Sequence, residues 1–356
     1  MENFYTKQPQ YYGDYLGLEQ ILSAQRPESE ARGVDAHDEM LFIIIHQAYE
    51  LWFKQIMHEL NSVLAIFNNE TINDNSAALQ TVTHRLGRIV EIWKVLIEQV
   101  RILETMRPID FLDFRDLLTP ASGFQSYQFR ILETKLGLKM EQRHQQHYYK
   151  QQLREEHLQQ LENQEVEQSL FELLDKWLSR LPFWDVATYW SEWNENVENN
   201  VNFEQPFWQK YREIYKNSLR GAELTEISLA DFDDLFFNNT ETRSSRLSAA
   251  ACRSAMFITI YRELPLLQQP FELLNRLLEI DELMATWRYR HWIMVRRMIG
   301  LRAGTGGSTG AGYLKGAVEN HHIFKDLSRL ATYLMPRTVI PKLPKKLETQ
   351  LIFNNL

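Results

Sequence analysis

The sequence predicts an all-α fold, on three observations. Apolar residues recur at spacings of three and four over long windows, and only 14 glycines and 11 prolines interrupt 356 residues. The longest such window, Ala36 to Phe67, carries an unbroken helical stripe. There Leu41, Ile44, Ile45, Ala48, Leu51, Trp52, Ile56, Leu60 and Val63 share one face, and Asp35 stands where an N-cap belongs. A second stripe, Phe42, His46, Tyr49 and Phe53, makes the first half of this helix apolar nearly all round, so it is expected between neighbours with His46 in a core. Further helices are expected at Asn75 to Leu103, Ser126 to Leu136, Glu167 to Arg180, Gln205 to Ser218, Leu247 to Tyr261, Phe271 to Ile299 and Leu314 to Tyr333. Lys139 to Gln168, crowded with Gln, Glu, His and Lys, reads as a solvated helix or a peripheral insertion. Pro336, Pro341 and Pro344 punctuate the end, which cannot continue a helix. No internal repeat is visible.

Composition bounds the function. A hydrophobic share of 44% and a charged share of 24% are those of a globular domain. Nine Trp, 15 Tyr and 19 Phe can build deep apolar pockets suited to a flat ligand. The single cysteine, Cys252, excludes an internal disulfide framework or a thiolate metal cluster and fits a reducing compartment. Met1 to Tyr15 lacks a basic segment followed by an apolar run, and no stretch approaches the roughly 18 apolar residues of a membrane span, so the expected location is the cytoplasm, with no membrane partner. A net charge of -8 argues against a nucleic-acid partner.

The densest chemical signal is Trp287 to Gly300, where Trp287, His291, Met294, Val295 and Met298 share one helical face. Spacing alone makes His291 a core histidine more often than a metal ligand. Its surroundings change that balance. No Asp or Glu occurs between Leu283 and Val318, whereas Arg288, Arg290, Arg296, Arg297, Arg302 and Lys315 do, a local cationic field in an acidic protein. A buried histidine flanked by cations suits a flat, dianionic, iron-bearing ligand, which describes haem: one axial imidazole, walls of Met and Trp, and basic groups for the propionates. Gly304 to Gly310, with four glycines in seven residues, reads as a loop that lets backbone approach a ligand. Arg115 lies between Phe114 and Asp116; it is either half of a surface salt bridge or a fork for a substrate carboxylate, and the sequence leaves both open. His37-Asp38-Glu39 and His58-Glu59 lack the second histidine of a zinc-protease helix. His144 with His147, and His321 with His322, sit in polar stretches and read as solvated.

Three blocks then coincide with one family. HDEMLFIIIHQAYELWFKQIMHEL, LETMRPIDFLDFRDLLTPASGFQSYQFR and WRYRHWIMVRRMIGLRAGTGGSTG resemble, in order, the signature blocks of the tryptophan 2,3-dioxygenases, and the likeness extends to YYGDYLGLEQILSAQ and ATYLMPRTVIP. It implies one helical haem-binding domain over 1–356, a bundle of the tryptophan/indoleamine dioxygenase type, with 139–239 a variable, more polar middle region. It implies ferrous haem b with His291 as the axial iron ligand, and Ser122, Gly123, Trp287 and Met294 around the cofactor. His46 would accept the indole N–H of L-tryptophan, Phe42 would pack beside the indole, Arg115 would take the carboxylate and Thr305 the ammonium. Phe111 stands where some relatives carry a tyrosine hydroxyl, so one hydrogen bond is missing here. Tyr12, Tyr15 and Leu16 match residues that reach a neighbouring subunit's site, implying a homotetramer built as a dimer of dimers. The implied reaction inserts both atoms of O2 across the indole C2–C3 bond to give N-formylkynurenine, the first step of the kynurenine pathway. A haem monooxygenase acting on tryptophan or a modified tryptophan, or a haem or tryptophan sensor without turnover, are the alternatives.

Overall fold

The computed structural model describes residues 10–69, 76–144, 153–191, 193, 206–221, 223, 229–300, 302 and 310–352. Among the described residues no strand occurs, as the sequence predicts. The helices that build the cleft described below are α1 (Asp38–Phe67), α2 (Ala77–Leu103), α3 (Pro108–Arg115), α4 (Tyr127–Leu136), α5 (Pro265–Ile299) and α6 (Gly310–Asn320). The spine is α2, which packs along α5 on one side and α1 on the other, while α4 and α3 lie against α1 and α6 against α5. One cluster of buried apolar side chains runs from Ile45 to Leu351.

Each long helix shows why its residues take that form. The Ser76 hydroxyl accepts the Leu79 N–H and starts α2, which buries Leu79, Val82, Leu86, Ile89 and Trp93 at spacings of three and four. The buried face of α1 is Ile45, Tyr49, Phe53, Ile56, Leu60 and Val63. Ile44 and Leu51, expected inside, are 47% and 54% exposed. A helix that is apolar nearly all round does not reveal which side its neighbours cover; α2 and α4 cover the Tyr49 side. The helix also begins at Asp38 rather than Ala36, with no side-chain cap from Asp35. Glu39 instead reaches back, its carboxylate accepting the backbone N–H groups of Glu28 and Ser29 at 2.9 Å each.

Three further sequence expectations shift. First, α5 starts at Pro265, not Phe271, and contains Pro270. Pro265 occupies the first turn, where its missing N–H costs nothing. Pro270 forfeits one helical bond, which burial of Leu267, Leu273 and Leu274 around it offsets. Second, the window Leu314 to Tyr333 is not one helix. It stops at Asn320, because the buried Asp281 carboxylate on α5 accepts the N–H groups of Ile323 (2.8 Å) and Phe324 (3.3 Å) and turns the chain into a short helix, Lys325–Arg329. Third, the middle region is polar only in its first part. Glu155–Val166 buries just Leu161 and Gln164, but Arg143 is fully enclosed, and Trp177, Trp190, Phe207, Trp208, Tyr211, Phe232 and Phe236 are buried in the core. Averaged composition hides this, because Leu170–Ser179, Pro206–Ser218 and Leu229–Phe236 are strongly amphipathic.

Candidate active site

A cleft of about 1220 Å³, counting its mouth, opens between α1, α3, α4, α5 and α6. Apolar side chains form most of it, with His46 and His291 among them. His46 comes from α1, and its Nδ1 lies 2.7 Å from the Phe42 carbonyl one turn earlier. A carbonyl oxygen only accepts, so Nδ1 carries the hydrogen and Nε2 is left as a bare acceptor. Burial lowers the pKa of this ring, against the smaller opposing effects of the Phe42 carbonyl and Glu50, so it is neutral near pH 7. The Phe42 ring centroid is 4.1 Å from that of His46 and 5.8 Å from Phe111.

His291 comes from α5. Its ring lies parallel to Trp287, one turn earlier, at 5.5 Å and 3°. Trp287 in turn is gripped by Tyr49, Phe53, Trp93 and Phe129, with centroids 5.3 to 6.1 Å away, so the imidazole rests on a packed aromatic wall. Burial, and secondarily the His46 ring, push the His291 pKa down to about 4. Its nitrogens are therefore available as neutral donors to a metal. Met294 also lines the cleft, beside Val295 and Met298.

The eight residues of α3 place Phe111 and Arg115, one turn apart, on the cleft and turn Phe114 inward to zero exposure. The Arg115 side chain is 13% exposed and 3.6 Å from the carboxylate of Asp116, which is 91% exposed. A pair screened on one side by water is worth little. Ser122 caps the turn that follows by accepting the Phe124 N–H, and Gly123 beside it lines the cleft with nothing within 4 Å of where a Cβ would stand.

Two members of the cationic field expected around His291 are paired with acids from other helices. Arg288 meets Glu133 at 2.8 Å and donates to the His321 carbonyl at 3.0 Å; Arg290 meets Glu104 at 3.1 Å. The acids are distant in sequence, on α4 and at the end of α2, so the residues around His291 do not disclose them. Glu133 is fully buried and also binds Arg130 (3.1 Å) and Arg143. His321, expected to be solvated, is 1% exposed and lines the cleft, its Nε2 accepting the His144 N–H at 2.9 Å. Nothing in the polar pair His321-His322 signals this; Glu133 and the Asp281-directed turn create it. The His144 ring packs on Gly316, where a Cβ would collide with it. His322 is 40% exposed, and His147 lies outside the described residues.

Thr305 and the rest of its glycine loop up to Thr309 also lie outside the described residues. Tyr12, Tyr15 and Leu16 form a short helix on the surface, 70%, 71% and 38% exposed, away from the cleft of their own chain.

Fold and site together define an all-helical protein with an apolar cleft between two neutral imidazoles and an arginine at its edge. The description "Tryptophan 2,3-dioxygenase" matches residues 2–334 as a family. Tryptophan 2,3-dioxygenases of Alteromonas mediterranea and Bdellovibrio bacteriovorus are 44% and 43% identical to this chain, each covering 97% of it and 98% and 99% of their own lengths. The enzyme of Rattus norvegicus is 42% identical over 93% of this chain and 84% of its own. The chain belongs to the tryptophan 2,3-dioxygenase family.

Proposed function

We propose that this chain is a haem dioxygenase that cleaves the indole C2–C3 bond of L-tryptophan with O2, giving N-formylkynurenine, and that His291 is its iron ligand. The observation that carries this reading is the pair of neutral imidazoles lining one cleft, His291 backed by a stacked indole and His46 with its acceptor nitrogen bare. The donor set fits haem b. Among the described residues no cluster of three or more His, Cys, Asp or Glu could hold a metal unaided, so a lone imidazole needs a macrocycle to supply the remaining donors. The Met and Trp walls and the room beside Gly123 suit a flat ring.

When bound, haem supplies the iron that activates O2 for insertion of both atoms. The chain's own residues bind and orient the substrate. Arg115 holds the carboxylate through two parallel hydrogen bonds, a charge-assisted contact worth roughly 1.5–3 kcal/mol. Thr305 holds the ammonium. Phe42 and Phe111 flank the indole, and the His46 Nε2 accepts its N–H. His46 aligns rather than deprotonates, because an indole N–H is a far weaker acid than an imidazolium of pKa about 6.5, lower still in this buried ring. The apolar walls exclude water from the reacting atoms.

The exposed aromatic residues of Tyr12–Leu16 support insertion into a neighbour's cleft and hence a homotetramer, which sedimentation of the purified chain reads directly. We assign the protein to the cytoplasm; no described helix is long and apolar enough to cross a membrane. His291→Ala tests the central assignment: the haem absorption spectrum and turnover should both disappear, whereas haem retention with normal turnover would remove His291 as ligand.

A further inference from the structure

Behind the two phenylalanines of the cleft lies a third ring. Phe114 has zero exposure and does not line the cleft, yet it meets Phe42 at 5.6 Å and 65° and Phe111 at 5.3 Å and 88°, edge to face in both cases. Phe42 and Phe111 are themselves 5.8 Å apart, so the three rings close a triangle with two corners on the cleft and one in the core. The Phe42 corner extends to His46 at 4.1 Å. An eight-residue helix such as α3 has too few internal hydrogen bonds to hold its own place. Phe114 is its one fully buried side chain, and Phe111 and Arg115 ride on the same helix.

We infer that Phe114 is a specificity-determining positioning residue: it stops the Phe42 and Phe111 rings from retreating and so sets how much indole the cleft admits. This rests on the assignment of Phe42 to the indole. Close-packed cores resist displacement, and edge-to-face contacts add directional preference to burial. With Phe114 in place, a substituent on the benzo ring of the substrate meets a wall that cannot yield. With a smaller or softer residue there, either cleft ring can move back into the freed volume. Phe111 carries no hydroxyl to tether it, and its ring packs on Phe114 at 5.3 Å and on Phe42 at 5.8 Å.

The experiment compares kcat/KM for L-tryptophan with that for its 5-, 6- and 7-methyl derivatives in haem-loaded enzyme. An apolar site discriminates a methyl group by about 10- to 200-fold. Phe114→Leu should narrow the preference over the most excluded derivative by about tenfold, while haem content stays at the wild-type level. Phe114→Met keeps the volume without the rigid ring and should narrow it by about threefold; it carries the test alone if the leucine variant does not fold. An equal loss of kcat/KM on every substrate would make Phe114 merely structural and overturn the inference, as would an unchanged ratio. Phe42→Leu separates the two levels of argument. If it relaxes the ratio and Phe114→Leu does not, the inference fails and the indole assignment stands; if neither does, the assignment itself fails.

Discussion

Replacing Glu133 by Gln removes a buried carboxylate that pairs with Arg130, Arg143 and Arg288 beside the cleft. Burial opposes ionisation of this group, but Arg143, the His321 ring, Arg130 and Arg288 outweigh it and hold the carboxyl well below its usual 4.5. Gln keeps the shape and loses the negative charge that faces three enclosed guanidinium groups. Breaking a buried pair in this way costs roughly 3–5 kcal/mol, a large part of the roughly 5–15 kcal/mol by which domains are stable. At about 2 °C per kcal/mol for a chain of this size, Tm should fall by roughly 6–10 °C. The pH dependence has a definite sign. A folded-state pKa below the unfolded value contributes stability that is complete above pH 4.5 and is lost as pH falls toward the depressed native value. The gap between wild type and Glu133→Gln should therefore close on acidification below about pH 4.5. Salt should leave it nearly unchanged, since enclosed charges are poorly screened. Thermal melts followed by circular dichroism across pH and salt measure all three. A gap under about 1 kcal/mol at pH 7, or one that shrinks strongly with salt, would refute the buried cluster.

Two substitutions probe the substrate side of the cleft. Arg115→Lys keeps the charge but loses the planar fork, so kcat/KM for L-tryptophan should fall at least tenfold while tryptamine, which has no carboxylate, changes little; equal losses on both would make Arg115 structural. His46→Ala should retain haem and measurable turnover and should narrow the difference between L-tryptophan and 1-methyltryptophan, which offers no N–H, since the lost contact is worth only about 1 kcal/mol. Complete inactivity with both haem and tryptophan bound would instead identify an obligatory base.

What the sequence disclosed, and what it hid, divides along the range of the interactions. Helix identity is local: the spacing in α2, with Ser76 ahead of it, fixes that element nearly to the residue. The position of His291 on the face shared with Trp287, Met294 and Met298 is equally local, and the cleft is lined by these residues. The covered side of α1 is not local, because a helix apolar nearly all round takes its orientation from α2 and α4. Nor is the charge state of the wall. Arg288 stands in a run without acids, and its partner Glu133 is 155 residues away on α4. His321 was hidden for the same reason: its burial depends on Glu133 and on Asp281 turning the chain after Asn320. Phe114 was hidden too: α3 is not among the helices that the spacing predicts, and the ring contacts of Phe114 with Phe42 join two helices and need the fold.

Insertion of both oxygen atoms into L-tryptophan is read out by mass spectrometry of the product formed under labelled O2. N-formylkynurenine should carry two labelled atoms in every molecule formed, with both lost from the profile when unlabelled O2 is used. A product carrying one labelled atom would make the chain a monooxygenase, and haem-loaded enzyme that binds tryptophan without forming product would make it a sensor.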